Sequence, residues 1–313
     1  MSGVRPVPVR GDGSARVRPS GVGRSLRSES ADAAPSSHAP LVKLSIVMPV
    51  YNEERTIGLA IERVLAVEFD CAAEIIVVDD GSTDATPRML GALARRGVVV
   101  ITHSRNYGKG TAVVTGIRSA TGSHLIILDA DLEYAPADIP SLLAPVVEGR
   151  ADHVFGVRVF GVNSRFPSLR YAYGGRATTL VANLLYDSCL TDMHTCLKLI
   201  PVSHFRALAL HEGGFGLDTE LTARLLRSGV RPFEVPVSYC GRSAREGKKI
   251  TWRDGVHCLS VLFKVRIERH PIPLPPLIID AKSDDAVPDS PEGPGSGEAG
   301  SPDGRFGLRS RSL

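Results

Sequence analysis

The chain has 313 residues, 43% hydrophobic and 23% charged, which is enough apolar content for one sizeable α/β core or two small domains. A formal net charge of +3 and an aromatic content of 5% are too weak to indicate a nucleic-acid binder or a stacking platform for bases. The five cysteines, Cys71, Cys189, Cys196, Cys240 and Cys258, include no Cys-x-x-Cys pair, so they point to neither a zinc site nor a disulfide framework, and a reducing compartment fits them best.

Residues 1–40 are rich in Arg, Ser, Pro and Gly and lack apolar periodicity; they read as a disordered basic tail. Its arginines, among them Arg5, Arg10, Arg16 and Arg18, are either solvated or available to anionic lipid. Residues 41–272 form the expected folded domain. Residues 273–313 return to the composition of the first segment with more acids, and are expected to be a second disordered tail. No stretch reaches the roughly 20 apolar residues that span a bilayer, and no signal-peptide core precedes the domain. A cytoplasmic chain is expected, with any membrane contact peripheral, on the inner face.

Within the domain, Leu44–Met48, Glu74–Val78, Val98–Ile101 and Leu125–Leu128 read as buried strands. Residues 54–67, 84–95 and 109–120 carry the period of amphipathic helices; Ile57, Ala60, Ile61, Val64 and Leu65 share one face of the first. This alternation predicts an α/β fold with a mostly parallel, Rossmann-like sheet flanked by helices. Such sheets bind ligands beyond the carboxyl ends of their strands.

Acids gather at those ends. After the first strand come Pro49, Tyr51, Asn52, Glu53 and Glu54, where Asn and Glu are also ordinary helix-start residues. After the second come Asp79, Asp80, Gly81, Ser82, Thr83 and Asp84. Capping accounts for one of these polar residues but not for an adjacent acidic pair, because a carboxylate at a strand end is costly to desolvate unless something pairs with it. After the fourth come Asp129, Ala130, Asp131, Leu132 and Glu133. In an extended segment Asp129 and Asp131 project to one side with Cα atoms roughly 6.5 to 7 Å apart, within reach of one hard cation such as Mg²⁺ or Mn²⁺. A metal carrying a diphosphate would offset this concentration of negative charge.

Other motifs exclude rivals. Gly108-Lys109-Gly110-Thr111 lacks the first glycine of a Walker A loop, where His103 stands, and no Gly-x-Gly-x-x-Gly follows the first strand. The run from Arg242 to Lys249 is either a solvated charged loop or an anion site. Residues Trp252 to His270 form either a buried helix edge or a basic amphipathic helix resting on a membrane.

Taken together, Pro49-Val50-Tyr51-Asn52-Glu53, Asp79 to Asp84, Asn106-Tyr107-Gly108-Lys109-Gly110, Asp129 to Glu133, Phe155-Gly156-Val157-Arg158, Thr191-Asp192-Met193 and Glu234 to Tyr239 followed by Arg242 and Lys248 resemble the family-two glycosyltransferases of GT-A fold. The resemblance is strongest to the dolichyl- or polyprenyl-phosphate mannose and glucose synthases, over roughly residues 43 to 267. It implies a metal-dependent inverting transfer of a hexose from a nucleoside diphosphate sugar to polyprenyl phosphate, with Mg²⁺ or Mn²⁺ as cofactor. It further implies that Pro49, Tyr51, Glu53, Val78 and Asp80 hold the donor nucleoside. Asp129, Ala130 and Asp131 would meet its ribose, diphosphate and metal, with Glu133, standing where the family often has Gln, joining Asp129 and Asp131 around the metal. Arg158, Arg242 and Lys248 would gather phosphates. Two rivals stay open: transfer to a hydroxyl acceptor, for which Asp192, Asp218 or Glu220 offers a base, and a non-catalytic nucleotide-sugar binding protein.

Overall fold

The computed structural model describes residues 42–159, 162–214, 216–242 and 252–277. The expected N-terminal tail, the chain from residue 278 onward and Lys248 lie outside the described residues. Four strands open the domain: β1 (Lys43–Val50), β2 (Ala72–Asp79), β3 (Val99–Thr102) and β4 (His124–Ile127). They alternate with α1 (Ile57–Leu65), α2 (Thr86–Leu93) and α3 (Lys109–Ser119), as the apolar periods predict. β1 pairs in parallel with β2 on one side and β4 on the other, and β2 pairs in parallel with β3.

The second half adds α4 (Ile139–Val147), β5 (Val154–Val157), β6 (Ser164–Arg165), α5 (Leu169–Tyr186), β7 (Lys198–Pro201), α6 (Val202–Ala207), α7 (Leu217–Arg227), β8 (Phe233–Pro236), β9 (Tyr239–Cys240) and α8 (Trp252–Ile267). The seven-stranded sheet runs β3-β2-β1-β4-β7-β5-β8. Only β7 is reversed, antiparallel to both β4 and β5, while β5 and β8 are parallel. Successive strand residues point to opposite faces, so Ile46 and Met48 enter one apolar core with Ile57, Ile61 and Leu142, whereas Val47 enters the other with Val113, Leu221 and Leu262. Covering both faces explains why the strands read as continuous apolar runs rather than alternating ones.

Two boundaries differ from expectation. The fourth ladder ends at Ile127, and Ala130–Asp131 form a turn rather than an extended segment. Leu132 closes that turn at φ +63, and the Asp131 carboxylate accepts the Glu133 amide at 3.0 Å; this local bond competes with strand geometry. At the other end, residues 273–277, expected to begin a tail, are attached to the domain: Leu274 packs on the second core and the Pro275 carbonyl accepts a hydrogen bond from His204 Nε2 at 2.9 Å.

Candidate functional site

The loops that follow β1, β2, β3 and β4 meet at one edge of the sheet. Asn52, in the left-handed region at φ +54, ties the first two together: its Oδ1 accepts the Thr83 amide at 2.8 Å and its own amide donates to Ser82 Oγ at 2.9 Å. Glu54 accepts the Ala85 amide at 3.0 Å. These two polar residues are loop ties. Asp79 is fully buried and turns its Oδ1 back on the Ser82 amide at 2.9 Å.

Asp80 organises the third loop. Its carboxylate accepts from His103 Nδ1 at 2.7 Å, from the Tyr107 amide at 3.0 Å and from the Gly108 amide at 2.7 Å. The acid thereby bends residues 103–108 over the end of the sheet and sets the start of α3. Gly108 takes φ +95. At Gly110 a Cβ would lie 1.9 Å from the Glu212 carbonyl oxygen, because the first turn of α3 is bonded to the neighbouring loop through Gly110 N and Gly213 O at 2.8 Å.

That turn presents Lys109, whose Nζ donates to Asp129 Oδ2 at 2.8 Å and lies 3.8 Å from Asp218 Oδ2. Asp218 also receives the fully buried Lys198 at 3.3 Å. Burial alone would depress the Lys109 ammonium, but Asp129 and Asp218 outweigh it and hold the group protonated well above its ordinary range. Likewise burial opposes the ionisation of Asp218, yet Lys198 and Lys109 pull its carboxyl below the usual value.

A second cation closes the other side. Arg242 Nη2 donates to Asp131 Oδ2 at 2.7 Å, its Nη1 is 3.7 Å from Glu53 and its Nε 3.6 Å from Glu133. Glu133 is engaged at both oxygens, by the Arg242 amide at 2.7 Å and by the Tyr239 hydroxyl at 2.8 Å. β9, paired in parallel with β6, delivers this segment. Burial, then Asp129 and Glu133, push the Asp131 carboxyl up to about 6, against the pull of Arg242. Arg158 forms a bidentate pair with Asp192, at 2.6 and 2.8 Å, and stacks on Tyr239 at 5.0 Å. Burial notwithstanding, Arg158 holds Asp192 at about 2.

The carboxylate chemistry fits a hard cation at Asp129 and Asp131: of these two neighbouring acids, Asp131 is pushed up to about 6 by burial and then by the charges of Asp129 and Glu133, and a divalent ion would neutralise such a pair. Among the described residues no three His, Cys, Asp or Glu side chains converge as a metal cage. Glu133 in particular, expected in the metal shell, is turned onto Arg242 and Tyr239, since a carboxylate this deep needs donors at both oxygens. Two protein carboxylates would leave such an ion to be completed by substrate phosphates and water, the habit of Mg²⁺.

Of the other residues singled out in the sequence, Tyr51 and Glu53 are half-buried at the site edge, and Pro49 is the half-buried penultimate residue of β1. Val78 and Ala130 are core residues, fully or almost fully buried, so their side chains do not reach the site and only their backbone can. In the sequence Lys109 stands in the rejected Walker-like loop and in the Asn106–Gly110 segment of the family resemblance, neither of which gives it an acid partner; its signal is a lysine between two glycines at a helix start. Lys198 was missed altogether, although a lysine inside the apolar strand Lys-Leu-Ile-Pro requires a buried acid.

Residues 45–197 match the family model described as glycosyl transferase family 2. Among curated proteins the chain is similar to the undecaprenyl-phosphate 4-deoxy-4-formamido-L-arabinose transferase of Proteus mirabilis (strain HI4320), 39% identical over 119 residues and covering 36% of each chain. The protein of the same name from Yersinia pestis (strain Pestoides F) is 40% identical over 119 residues, again 36% of each. The matched region thus spans about a third of the length of these relatives. Among solved structures, glucosyl-3-phosphoglycerate synthase from Mycobacterium tuberculosis in complex with UDP superposes with a TM-score of 0.56 at 19% identity, covering 72% of this chain and 80% of that one. The same enzyme in complex with Mn²⁺, UDP and phosphoglyceric acid gives 0.55 at 20% identity, covering 72% and 78%. At these identities the likeness speaks for the fold. With the sheet, its acidic loops and the matched segment all in agreement, the chain carries a glycosyl transferase family 2 segment over residues 45–197, just under half of its length, and has the GT-A fold.

Proposed function

We propose that this domain transfers a sugar from a nucleoside diphosphate donor to polyprenyl phosphate, with inversion at the anomeric carbon. The observation that carries the acceptor is the state of the three acids the sequence offers as a base. Asp192 is clamped by Arg158, and Asp218 lies between Lys198 and Lys109. Glu220 accepts from Arg224 at 2.9 Å and from the amides of His211 and Glu212 at 2.8 Å each. A hydroxyl acceptor needs a proton taken from it, and these carboxylates are committed to cations or amides. A phosphate oxygen is already anionic near pH 7 and needs no base. The names of the curated relatives, transferases acting with undecaprenyl phosphate, point the same way.

In this reading Tyr51, Glu53 and the loop ordered by Asp80 enclose the nucleoside, with Pro49, Val78 and Ala130 contributing backbone. Asp129 and Asp131 would hold Mg²⁺ or Mn²⁺, which would supply Lewis-acid stabilisation of the departing diphosphate. Arg242 and Lys248 gather phosphate, Arg242 through a planar fork suited to two hydrogen bonds. Arg158 acts from its pair with Asp192, orienting Tyr239 beneath Glu133 and Arg242. A non-catalytic binding protein would have no use for this metal-ready acid pair. The donor sugar is a hexose by resemblance and a formamido-pentose in the named relatives, so both classes belong in the donor panel.

The test offers labelled donor, with Mn²⁺ or Mg²⁺, to polyprenyl phosphate, free polyprenol and soluble hydroxyl acceptors. Label in a lipid fraction that depends on the acceptor phosphate is expected. Transfer to the hydroxyl acceptors alone would overturn the acceptor, and absence of both transfer and donor hydrolysis would overturn the catalytic reading.

A further inference from the structure

The exposed apolar residues of this domain are concentrated on the outer faces of two helices whose inner faces join the second core. Of the thirteen large apolar side chains exposed among the described residues, seven lie on α5 and α8. On α5 they are Leu169, Tyr173, Leu180 and Leu184, the last 77% exposed; their spacings place them within about 60° of arc on a 3.6-residue helix. On α8 they are Val256, Phe263 and Ile267, the last 80% exposed, within about 40° by the same reckoning. The helices lie against each other: the Tyr186 hydroxyl donates to the Leu262 carbonyl at 2.6 Å and Arg266 Nε to the Leu185 carbonyl at 2.9 Å.

Charge on the pair is one-sided. α5 contains no Asp or Glu, and α8 contains only Asp254. Exposed cations flank the apolar stripes, Arg176 on α5 and Arg253, Lys264 and Arg266 on α8. We propose that α5 and α8 form one platform that docks on an anionic bilayer surface, with the apolar stripes in the headgroup boundary and the cations against lipid phosphate. The charge selects this occupant. A second copy meeting the platform face to face would bring like-charged rims together, whereas an anionic surface complements them. No helix among the described residues is long and apolar enough to cross a membrane, so the platform lies on the bilayer.

The platform adjoins the site. His257 on α8 is bonded to Glu212 at 2.8 Å, in the loop whose Gly213 holds the first turn of α3 and hence Lys109. α5 follows β6, the partner of the β9 strand that leads to Arg242. Docking here would bring the phosphate-facing cations to the membrane from which a lipid-borne acceptor is drawn. The inference gains purpose from the acceptor reading but stands on its own observations, and its test does not use the acceptor.

The full chain is sedimented with vesicles of phosphatidylglycerol and phosphatidylcholine in equal parts, and with phosphatidylcholine alone. Binding to the anionic vesicles is expected, weakened by salt. The double variant Leu184→Glu with Ile267→Glu is expected to lower the partition coefficient on the order of tenfold or more, with an unchanged melting curve because both side chains are already in water. Lys264→Gln with Arg176→Gln is expected to reduce binding and its salt dependence. Equal binding by the double variant would place the attraction elsewhere, in the arginine-rich N-terminal residues for instance, and overturn the platform. So would absence of binding by the unsubstituted chain, or a dimer in light scattering that the double variant dissolves while vesicle binding persists. Donor hydrolysis measured in vesicle-free solution separates the two readings: the double variant retains it if the platform serves docking alone.

Discussion

Asp131 is the residue at which charge is most crowded, pushed up to about 6 by burial and by Asp129 and Glu133. A folded-state value above the ordinary 3.8 means that the stability this group contributes is present in acid and lost as pH rises through about 6. At pH 7.5 Asp131→Asn should therefore leave thermal stability unchanged or raised, although turnover falls on the order of a hundredfold, or ~3 kcal/mol in the transition state. A lowered melting temperature with near-normal, equally Mn²⁺-dependent turnover would refute both halves. Asp192 behaves oppositely. Held at about 2 by Arg158, it contributes stability above about pH 4 that is lost as pH falls toward 2. Asp192→Asn strands a buried guanidinium and should cost roughly 3 kcal/mol or more in urea unfolding; a loss well under 1 kcal/mol would show the pair to be dispensable. The sequence displays the acids plainly, because Asp79, Asp80, Asp129 and Asp131 interrupt apolar runs. It hides their partners. Lys109 with Asp218, and Arg242 with Asp131, are each more than a hundred positions apart, so whether an acid is a free base or a clamped one depends on the fold alone.

Elements were legible where the chain uses long apolar periods. β1, β2, α1 and α3 fall within a few residues of expectation, while β5, β7 and β8 are four-residue strands carrying Gly156, Lys198 and Pro236, residues that argue against strand when read locally. Gly110 illustrates how packing overrides propensity at an element's end. Alanine is favoured over glycine in a helix by about 1 kcal/mol, yet its Cβ would meet the Glu212 backbone at 1.9 Å, a clash no side-chain rotation relieves. Gly110→Ala should destabilise by roughly 1–3 kcal/mol and displace Lys109; an unchanged or raised melting temperature would show that the 211–213 loop yields. At the opposite edge of the sheet, His153 before β5 donates to or accepts from His204 on α6 at 2.9 Å, and His204 in turn bonds Pro275. Burial first, then His204 and His124, lower His153 to about 3, and burial lowers His124 to about 4. Both groups are neutral in the folded chain, so the stability they protect is full above about 6.5 and is lost as pH falls toward 4 and 3. Unfolding free energy should drop between pH 7 and pH 5, and His153→Gln should flatten that slope. A flat profile for the unsubstituted chain over this interval would contradict the assignment. The acid loss from Asp192 lies lower, below pH 4, and is separable.

On the scale of the molecule, the sheet edge gathers Glu53, Asp129, Asp131 and Glu133 from loops far apart in sequence, and meets them with cations of the chain itself, Lys109 and Arg242. Folding is stabilised by these pairs, and substrate binding has to exchange them. A divalent ion held by Asp129 and Asp131 would compete with Lys109 and Arg242 for these carboxylates and would leave two half-buried cations in need of an anion, which a diphosphate would supply. A diphosphate arriving alone meets acids that repel it. Each ligand therefore prepares the site for the other, and linkage makes the effect reciprocal. Binding to the folded chain raises its stability by mass action, so the coupling is measurable without turnover. We expect Mn²⁺ alone and uridine or guanosine diphosphate alone to shift the melting temperature little, and the two together to shift it by clearly more than the sum, after correction for metal–nucleotide complexes in solution. Lys109→Met should strengthen the response to Mn²⁺ alone, because Asp129 loses its competing ammonium, and weaken the gain on adding nucleotide, because one of the two cations is gone. Additive shifts in the unsubstituted chain, or a Lys109→Met chain whose Mn²⁺ response is unaltered, would mean that the acids and the cations of this edge do not trade partners and that the pairs seen at Asp129 and Asp131 are purely structural.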